Sequence, residues 1–397
     1  MTAASPPPTE TAPVPARRWL SLDAYRGWVM CLMMGEALQF YTVAGARPQS
    51  AFWRFLGQQQ THAKWTGCSL HDLIQPSFTF LVGVVLPFSL ASRAARGQSA
   101  RRMTCHALGR ALFLILLGVL LRSISAGHVN WTFEDTLSQI GLGYVFLFFL
   151  GSRPARDHWI ALITLLAGYW AAFALYPVPQ NFDYSKVGVP DHWSYLMSGF
   201  AAHWNKNSNP AWAFDTWFLN LFPRQTPFLF NKGGYPTLSF IPTIATMILG
   251  LIAGNVLRAP GSPGSKFRWF VCAGAVCLAL GLLATHSGLC PIVKRIWTPS
   301  WVLFSGGWCF LYLAGFYAVI EMLGFRRWVF PLVVVGSNSI AAYCVANVSD
   351  PILDRFSRTA DALPPGPYAT LWRGGIVLLI LWLVLYALYR KKIFLRI

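Results

Sequence analysis

The segment LIQPSFTFLVGVVLPFSLAS, residues 73–92, contains no charged side chain. At ~1.5 Å of rise per residue, a helix of this length crosses the ~30 Å hydrocarbon core of a bilayer. Similar apolar segments recur along the chain at residues 24–44, 106–125, 136–151, 157–177, 236–257, 267–286, 300–323, 328–348 and 370–389. We therefore predict an all-α fold, a polytopic transmembrane bundle of about ten helices.

The composition of the chain also indicates a membrane protein. Hydrophobic residues make up 55% of the 397 positions and charged residues only 12%, whereas soluble domains carry about 25% charged residues. The net charge is +18, but the basic residues are scattered between apolar segments. Nucleic-acid-binding proteins instead gather them on one soluble face. We therefore expect membrane lipids, and no nucleic acid, as partners.

The distribution of basic residues predicts the orientation of the bundle. Short loops rich in Arg and Lys face the cytoplasm, which places both termini inside. Residues 1–16, rich in Pro, Ala and Thr, are expected to form a disordered cytoplasmic tail rather than a signal peptide. Residues 17–397 then form one transmembrane domain. The long outer segment 178–235 is expected to cap it, its aromatic rings either anchoring at the membrane interface or stacking on sugars.

The eight cysteines show no spacing typical of a metal site, so we expect no metal. Most of them lie in apolar segments, where Cys behaves as a small hydrophobic residue. Cys68 and Cys290 are the two placed to meet an oxidising compartment. Whether they form a disulfide is left open.

Polar side chains inside the predicted helices are candidates for function, because burying them in a membrane is costly. Asp23 and Arg26 share one face at the inner end of the first helix, either as a functional pair or as a local ion pair. Glu36 lies about 20 Å farther along that helix, where a carboxylate should face a cavity or a partner. Gln139 and Asn338 are further candidates, with interhelical hydrogen bonding as the alternative.

The segment QQQTHAKWTGCSLHD, residues 58–72, leads directly into the second predicted helix. His62 has a side chain that titrates near neutral pH and suits general acid–base catalysis. Asp72 is placed to orient a histidine or to bind a polar substrate group. The alternative is that His62 and His71 are ordinary loop histidines.

Several motifs, read together, connect the chain with a known family. They are RWLSLDAYRG at 18–27, HAKWTG at 62–67 continuing through Asp72 to Gly83, LSQIGLGY at 137–144, LSFIPTIATMILG at 238–250, WTPSW at 297–301 and GSNSIA at 336–341. In these motifs the chain resembles the heparan-alpha-glucosaminide N-acetyltransferase family and its bacterial transmembrane relatives. The likeness covers essentially the whole chain beyond residue 18.

The resemblance implies a transferase that carries an acetyl group from cytoplasmic acetyl-CoA to an amino sugar or sugar hydroxyl on the periplasmic side of a bacterial inner membrane. It implies that His62 is catalytic, as general base or as acetyl carrier, and that Asp72 is the acidic residue of the same motif. Asp215 matches an aspartate of the family's large outer loop only loosely. The predicted substrate-binding residues are Glu36, Trp65, Gln139, Asp215 and Asn338, and the predicted acetyl-CoA-binding residues are Arg26, Arg93, Arg101 and Arg102.

Alternative interpretations stay open at this point. The basic loop that contains Arg93, Arg101 and Arg102 also follows from the positive-inside rule alone. A transporter for a small solute or a lipid-linked glycan would likewise use many helices with buried polar side chains. The acceptor, the length of the acyl chain and the formation of a homodimer are open. It is also open whether the pantetheine arm of acetyl-CoA passes through the bundle or the acetyl group is relayed through it.

Overall fold

The computed structural model describes residues 19–190, 192–347 and 366–395, and these form an all-helical structure without a β-strand. The predicted tail, residues 1–16, lies outside the described residues. The α-helices are α1 (Leu20–Met34), α2 (Phe40–Ala46), α3 (Ala51–Gln60), α4 (Ile74–Ala95), α5 (Ala100–Ala126), α6 (Thr136–Gly151), α7 (Ala155–Ala174), α8 (Pro210–Phe218), α9 (Phe240–Arg258), α10 (Pro263–His286), α11 (Pro299–Tyr317), α12 (Phe330–Ser337), α13 (Ser339–Asn347) and α14 (Ala369–Arg390).

The helices fit a multi-pass membrane protein. In the described part of the chain, seven helical segments are long and apolar enough to cross a bilayer, and eight if α12 and α13 form one broken span. Each predicted apolar segment contains helix, including α6, which is apolar but has only 16 residues. The all-helical fold is therefore confirmed, whereas ten crossings with both termini inside stay a prediction.

The first predicted helix, residues 24–44, is interrupted in the structure. A 3₁₀ turn, Gly35–Leu38, follows α1, and Gln39 adopts a left-handed conformation with φ 49° before α2 begins. The side chain of Gln60 satisfies the backbone groups that the break releases: its Oε1 accepts from the amide of Phe40 (2.6 Å) and its Nε2 donates to the carbonyl that begins the turn (2.7 Å). Irregular backbone within a membrane domain is tolerated where it lines a cavity, and Glu36 lies in this break.

The ninth predicted helix, residues 328–348, is bent rather than continuous. The helices α12 and α13 meet at 68° around Asn338. Its side-chain amide donates to the carbonyl of Ile393 (2.9 Å) and accepts from the amide of Leu395 (3.1 Å). The asparagine therefore ties the segment after α14 to the bend, which is why a polar residue stands in an otherwise apolar sequence.

Helices α4 and α9 pack at very close range in the centre of the bundle. A Cβ atom on Gly83 would clash with the carbonyl of Met247, and one on Gly250 would clash with the carbonyl of Phe80. Small residues at helix contacts let membrane helices approach closely. This contact fixes α4, whose N-terminal end carries the candidate site.

Candidate active site

His62 and Asp72 form a hydrogen-bonded pair at the start of α4. His62 lies between α3 and the short turn His71–Leu73, and its Nδ1 is 2.8 Å from Oδ1 of Asp72. Asp72 is fully buried, whereas 40% of the His62 side chain is exposed. Because a carboxylate only accepts hydrogen bonds, Nδ1 is the donor, and Nε2 of the neutral ring keeps a free lone pair.

The second oxygen of Asp72 anchors the chain around it. Oδ2 accepts from the backbone amides of Ala63 (3.1 Å) and Ser69 (3.0 Å) and from the hydroxyl of Ser69 (3.0 Å). Such donors favour the charged form of a carboxylate. They also hold the loop that carries His62 in one position relative to α4.

Lys294 completes a charged triad with His62 and Asp72. Its Nζ is 3.2 Å from Oδ1 of Asp72 and 3.1 Å from Nδ1 of His62, and only 6% of its side chain is exposed. It comes from the segment between α10 and α11. That segment reaches the loop of His62 through a hydrogen bond from the amide of Gly67 to the carbonyl of Ile292 (3.1 Å).

Arg295 joins the same loop to the long segment before α9. Its Nη1 donates to the carbonyl of Gly233 (2.6 Å), and its Nε and Nη2 lie 3.4 and 3.3 Å from the carbonyl of Ala63. The guanidinium also lies over the ring of Tyr235, 5.1 Å from its centroid. One side chain therefore holds the end of the predicted cap against the loop that contains His62.

A cavity of about 700 Å³, here called the main cavity, gives access to the triad. His62, Lys294, His71, Glu36 and Tyr235 are among its lining residues. The rings of His62 and His71 have centroids 4.7 Å apart, and Nε2 of His71 is 3.8 Å from Oε2 of Glu36. His62 thus lies at a space large enough for a small polar molecule.

A second group of charged residues lines the main cavity. Glu134 and Asp135, directly before α6, contribute with Arg122 and Arg373. Arg122 is 3.9 Å from Glu134. Burial raises the pKa of both carboxyls above their ordinary values. These acids therefore accept hydrogen bonds or protons more readily than surface carboxylates do.

A second cavity, of about 390 Å³, lies farther along α1 and α4. Its lining includes Arg26, Arg110 and Asp23, and Phe78 lines both cavities. Arg26 and Glu36, which line different cavities, are ten residues apart, or about 15 Å along the helix axis. Arginines at such a site can bind phosphate or carboxylate groups.

The structure brings together only part of the predicted site. Glu36 and His62 line the main cavity, Asp72 is buried beside His62, and Arg26 lines the second cavity. Neither cavity is lined by the basic residues of the last turn of α4 and the first turn of α5, which are Arg93, Arg101 and Arg102. Arg93 instead bonds to Gln98 and His106.

Four of the predicted substrate-binding residues form hydrogen bonds with other parts of the protein. One of them is Asn338, at the bend between α12 and α13. Trp65 is buried and donates from Nε1 to the carbonyl of Trp204 (3.1 Å). Gln139 donates to the carbonyls of Phe133 and Thr237. Asp215 accepts from the amide of Thr237 (2.9 Å), and burial raises its pKa to about 7.

No disulfide and no metal cluster emerge within the described residues. Cys68 and Cys290 are both free thiols. Among those residues, no group of three or more His, Cys, Asp or Glu side chains is arranged to hold a metal ion.

Comparison with known proteins shows which proteins the chain is similar to. No protein-family model matches the chain. Human heparan-alpha-glucosaminide N-acetyltransferase is 26% identical over 96% of this chain and 60% of its own length, and the mouse protein of the same name is 24% identical over 98% and 62%. The chain is related to these N-acetyltransferases at the level of the family. It spans about 60% of the length of the curated relatives that it matches.

The relation to the N-acetyltransferases confirms the resemblance inferred from the motifs, but those motifs did not reveal Lys294 and Arg295. Both residues directly precede the WTPSW motif. Two adjacent cations in a predicted outer segment run against the positive-inside rule. That local exception is a signal in the sequence by which they could have been found.

Proposed function

We propose that this protein is a transmembrane acyltransferase that moves an acetyl group from acetyl-CoA to an amino sugar or a sugar hydroxyl. The observation that carries the proposal is His62, paired through Nδ1 with buried Asp72 and open to the main cavity, in a chain related to N-acetyltransferases. We place it in the bacterial inner membrane, with both termini in the cytoplasm and the main cavity toward the periplasm.

His62 can perform the transfer in either of two ways. As a general base, Nε2 takes a proton from the acceptor while the acceptor nitrogen or oxygen attacks the thioester carbon, and the CoA thiolate leaves and is protonated. As a nucleophile, Nε2 attacks the thioester first and CoA leaves as the thiolate; the acceptor nitrogen or oxygen then takes the acetyl group from the imidazole, and the proton that the acceptor loses balances the one that the thiolate gains. In both cases Asp72 orients the ring through its hydrogen bond with Nδ1.

We propose that the donor enters through the second cavity. Arg26 and Arg110 would bind the phosphates of CoA there. The pantetheine arm would pass Phe78, which borders both cavities, and present the thioester to His62. The exposed loop arginines would contribute only long-range attraction for the anionic donor.

We propose that the acceptor occupies the main cavity. Glu36 and the acids before α6 offer hydrogen-bond acceptors for an amine or hydroxyl, and Tyr235 offers an aromatic face for a sugar ring. Trp65, Gln139, Asp215 and Asn338 would act as structural supports, because their described contacts are with the protein.

The direct test is acetyl transfer by the purified protein in detergent, with labelled acetyl-CoA and a panel of amino sugars. We expect His62→Ala to lose transfer by at least a hundred-fold, the usual contribution of a general acid–base group. His128→Ala is the matched control, because His128 is an exposed histidine that contacts the carbonyl of Ala126. Undiminished transfer by His62→Ala would overturn the assignment.

Phe78 lines both cavities, and two adjoining cavities are also what a path for a transported solute requires. A transporter is therefore the second candidate function. Flux of an amino sugar into liposomes that contain the protein but no acetyl-CoA would favour it. Transfer that depends on acetyl-CoA, without such flux, would favour the enzyme.

A further inference from the structure

We propose that Lys294 is a positioning residue for His62: as the counter-ion of Asp72, it keeps the imidazole unprotonated at neutral pH, so that Nε2 is available to the main cavity. The inference deepens the proposed function and rests on it for its catalytic consequence. Its geometric basis is the contact of one ammonium with both members of the pair, at 3.2 and 3.1 Å.

The hydrogen-bonding capacity of the three groups limits how they can be arranged. Lys294 as an ammonium only donates, and Asp72 as a carboxylate only accepts. If Nδ1 of His62 donates to Asp72, then Nε2 is a base; if Nδ1 accepts from Lys294, then Nε2 carries the proton and cannot be one. Because the Asp72 contact is the shorter, at 2.8 Å, the first arrangement is favoured, and Lys294 then bonds to Asp72.

Charge explains why a third member is needed. Asp72 is buried, and a buried carboxylate beside a histidine stabilises the imidazolium form. An imidazolium carries a proton on Nε2 and can neither accept a proton nor attack a thioester. Lys294, itself buried, cancels the charge of Asp72 and repels a second positive charge on His62.

The other charged and titratable groups near His62 do not replace Lys294 as the counter-ion of Asp72. The ring of His71, from the turn before α4, lies beside it with centroids 4.7 Å apart, and Glu36, from the break after α1, is 3.8 Å from Nε2 of His71. Arg295 is directed to backbone carbonyls and to the ring of Tyr235. Lys294 is therefore the cation in direct contact with the His62–Asp72 pair among the described residues.

The test measures the protonation of His62 without relying on acetyl transfer. Diethyl pyrocarbonate modifies only unprotonated imidazole, and fragment-ion mass spectrometry of the modified peptide distinguishes His62 from His71. The rate of His62 modification is measured from pH 5 to 9 in the full-length protein. For Lys294→Met and Lys294→Gln, we expect the midpoint of this curve to rise by about one pH unit or more, the usual effect of one close charge.

The two variants separate charge from structure. Gln keeps a hydrogen-bond donor and Met keeps the apolar stem, so a charge effect shifts both curves equally. Lys206→Met is the matched control, because Lys206 is another buried lysine, bonded to the carbonyl of Gly188; its curve should follow the wild type. If Lys294→Met does not fold, Lys294→Gln alone decides the question. A curve for Lys294→Gln that superposes on the wild type would overturn the proposal.

The consequence for catalysis gives a second, separate readout. The acid limb of acetyl transfer should shift by the same amount, so that Lys294→Gln loses several times more activity at pH 6.5 than at pH 8.5. A uniform loss at all pH values would assign Lys294 a purely structural role. A shifted modification curve in a protein that transfers no acetyl group would instead contradict the proposed function and leave the charge role of Lys294 standing.

Discussion

Replacing Asp72 with Asn should destabilise the protein mainly through the lysine that is left behind. Lys294 is almost fully buried, and its Nζ is 3.2 Å from Asp72 Oδ1. At that distance the attraction is about 5 kcal/mol for an effective dielectric constant of 20. Removing one member of a buried ion pair costs about 3–5 kcal/mol, because the other charge stays buried without compensation.

The double variant Asp72→Asn/Lys294→Met removes both charges and should recover most of that loss, because replacing a whole buried pair is often nearly neutral. Thermal unfolding in detergent provides the assay. We expect the midpoint of Asp72→Asn to fall by about 4–6 °C and the double variant to regain at least half of the difference. A double variant no more stable than Asp72→Asn would refute the buried ion pair as the reason.

Three further predictions concern stability and packing. Burial raises the pKa of Asp215 to about 7, above the ~3.9 of an unfolded aspartate. As pH rises, Asp215 therefore loses its proton in the unfolded state before it does so in the folded state. The free energy of unfolding consequently falls between about pH 4 and pH 7. In Asp215→Asn this fall should be shallower in thermal midpoints measured across that range; an unchanged slope would contradict the assignment. Gly250→Ala should lower the midpoint by several degrees because its Cβ would clash with the carbonyl of Phe80, whereas Gly168→Ala, with open space around it, should not; equal midpoints would argue against close packing of α4 and α9. Arg295→Gln should increase proteolytic cleavage of the segment before α9, because its carbonyl contacts are lost, and unchanged cleavage would show that other contacts hold that segment.

The helices and the central pair could be predicted from the sequence because both depend on local information. Apolar length alone places the helices, since a bilayer requires about 20 apolar residues for each crossing. His62 and Asp72 are ten positions apart and share one motif, and they contact each other as the motif implies.

Features that depend on distant partners could not be predicted. The break at Gln39 relies on the side chain of Gln60, and the bend at Asn338 relies on backbone groups after α14. Lys294 reaches His62 from 232 positions away. No local pattern encodes these contacts, because they arise only when the bundle packs.

The candidate donor site shows a different limit. The basic residues around Arg101 were predicted to bind the donor, but they line neither cavity. Arg110, which lies farther along α5, lines the second cavity. The density of basic residues reports membrane orientation. It does not report which side chains point into the bundle.

The most direct test of transfer across the membrane uses sealed proteoliposomes with the protein in one orientation, acetyl-CoA on the side of the second cavity and an amino sugar on the other side. The account predicts that acetylated sugar accumulates on the sugar side with wild-type protein and not with His62→Ala. Product that forms only when donor and acceptor share one side would contradict it.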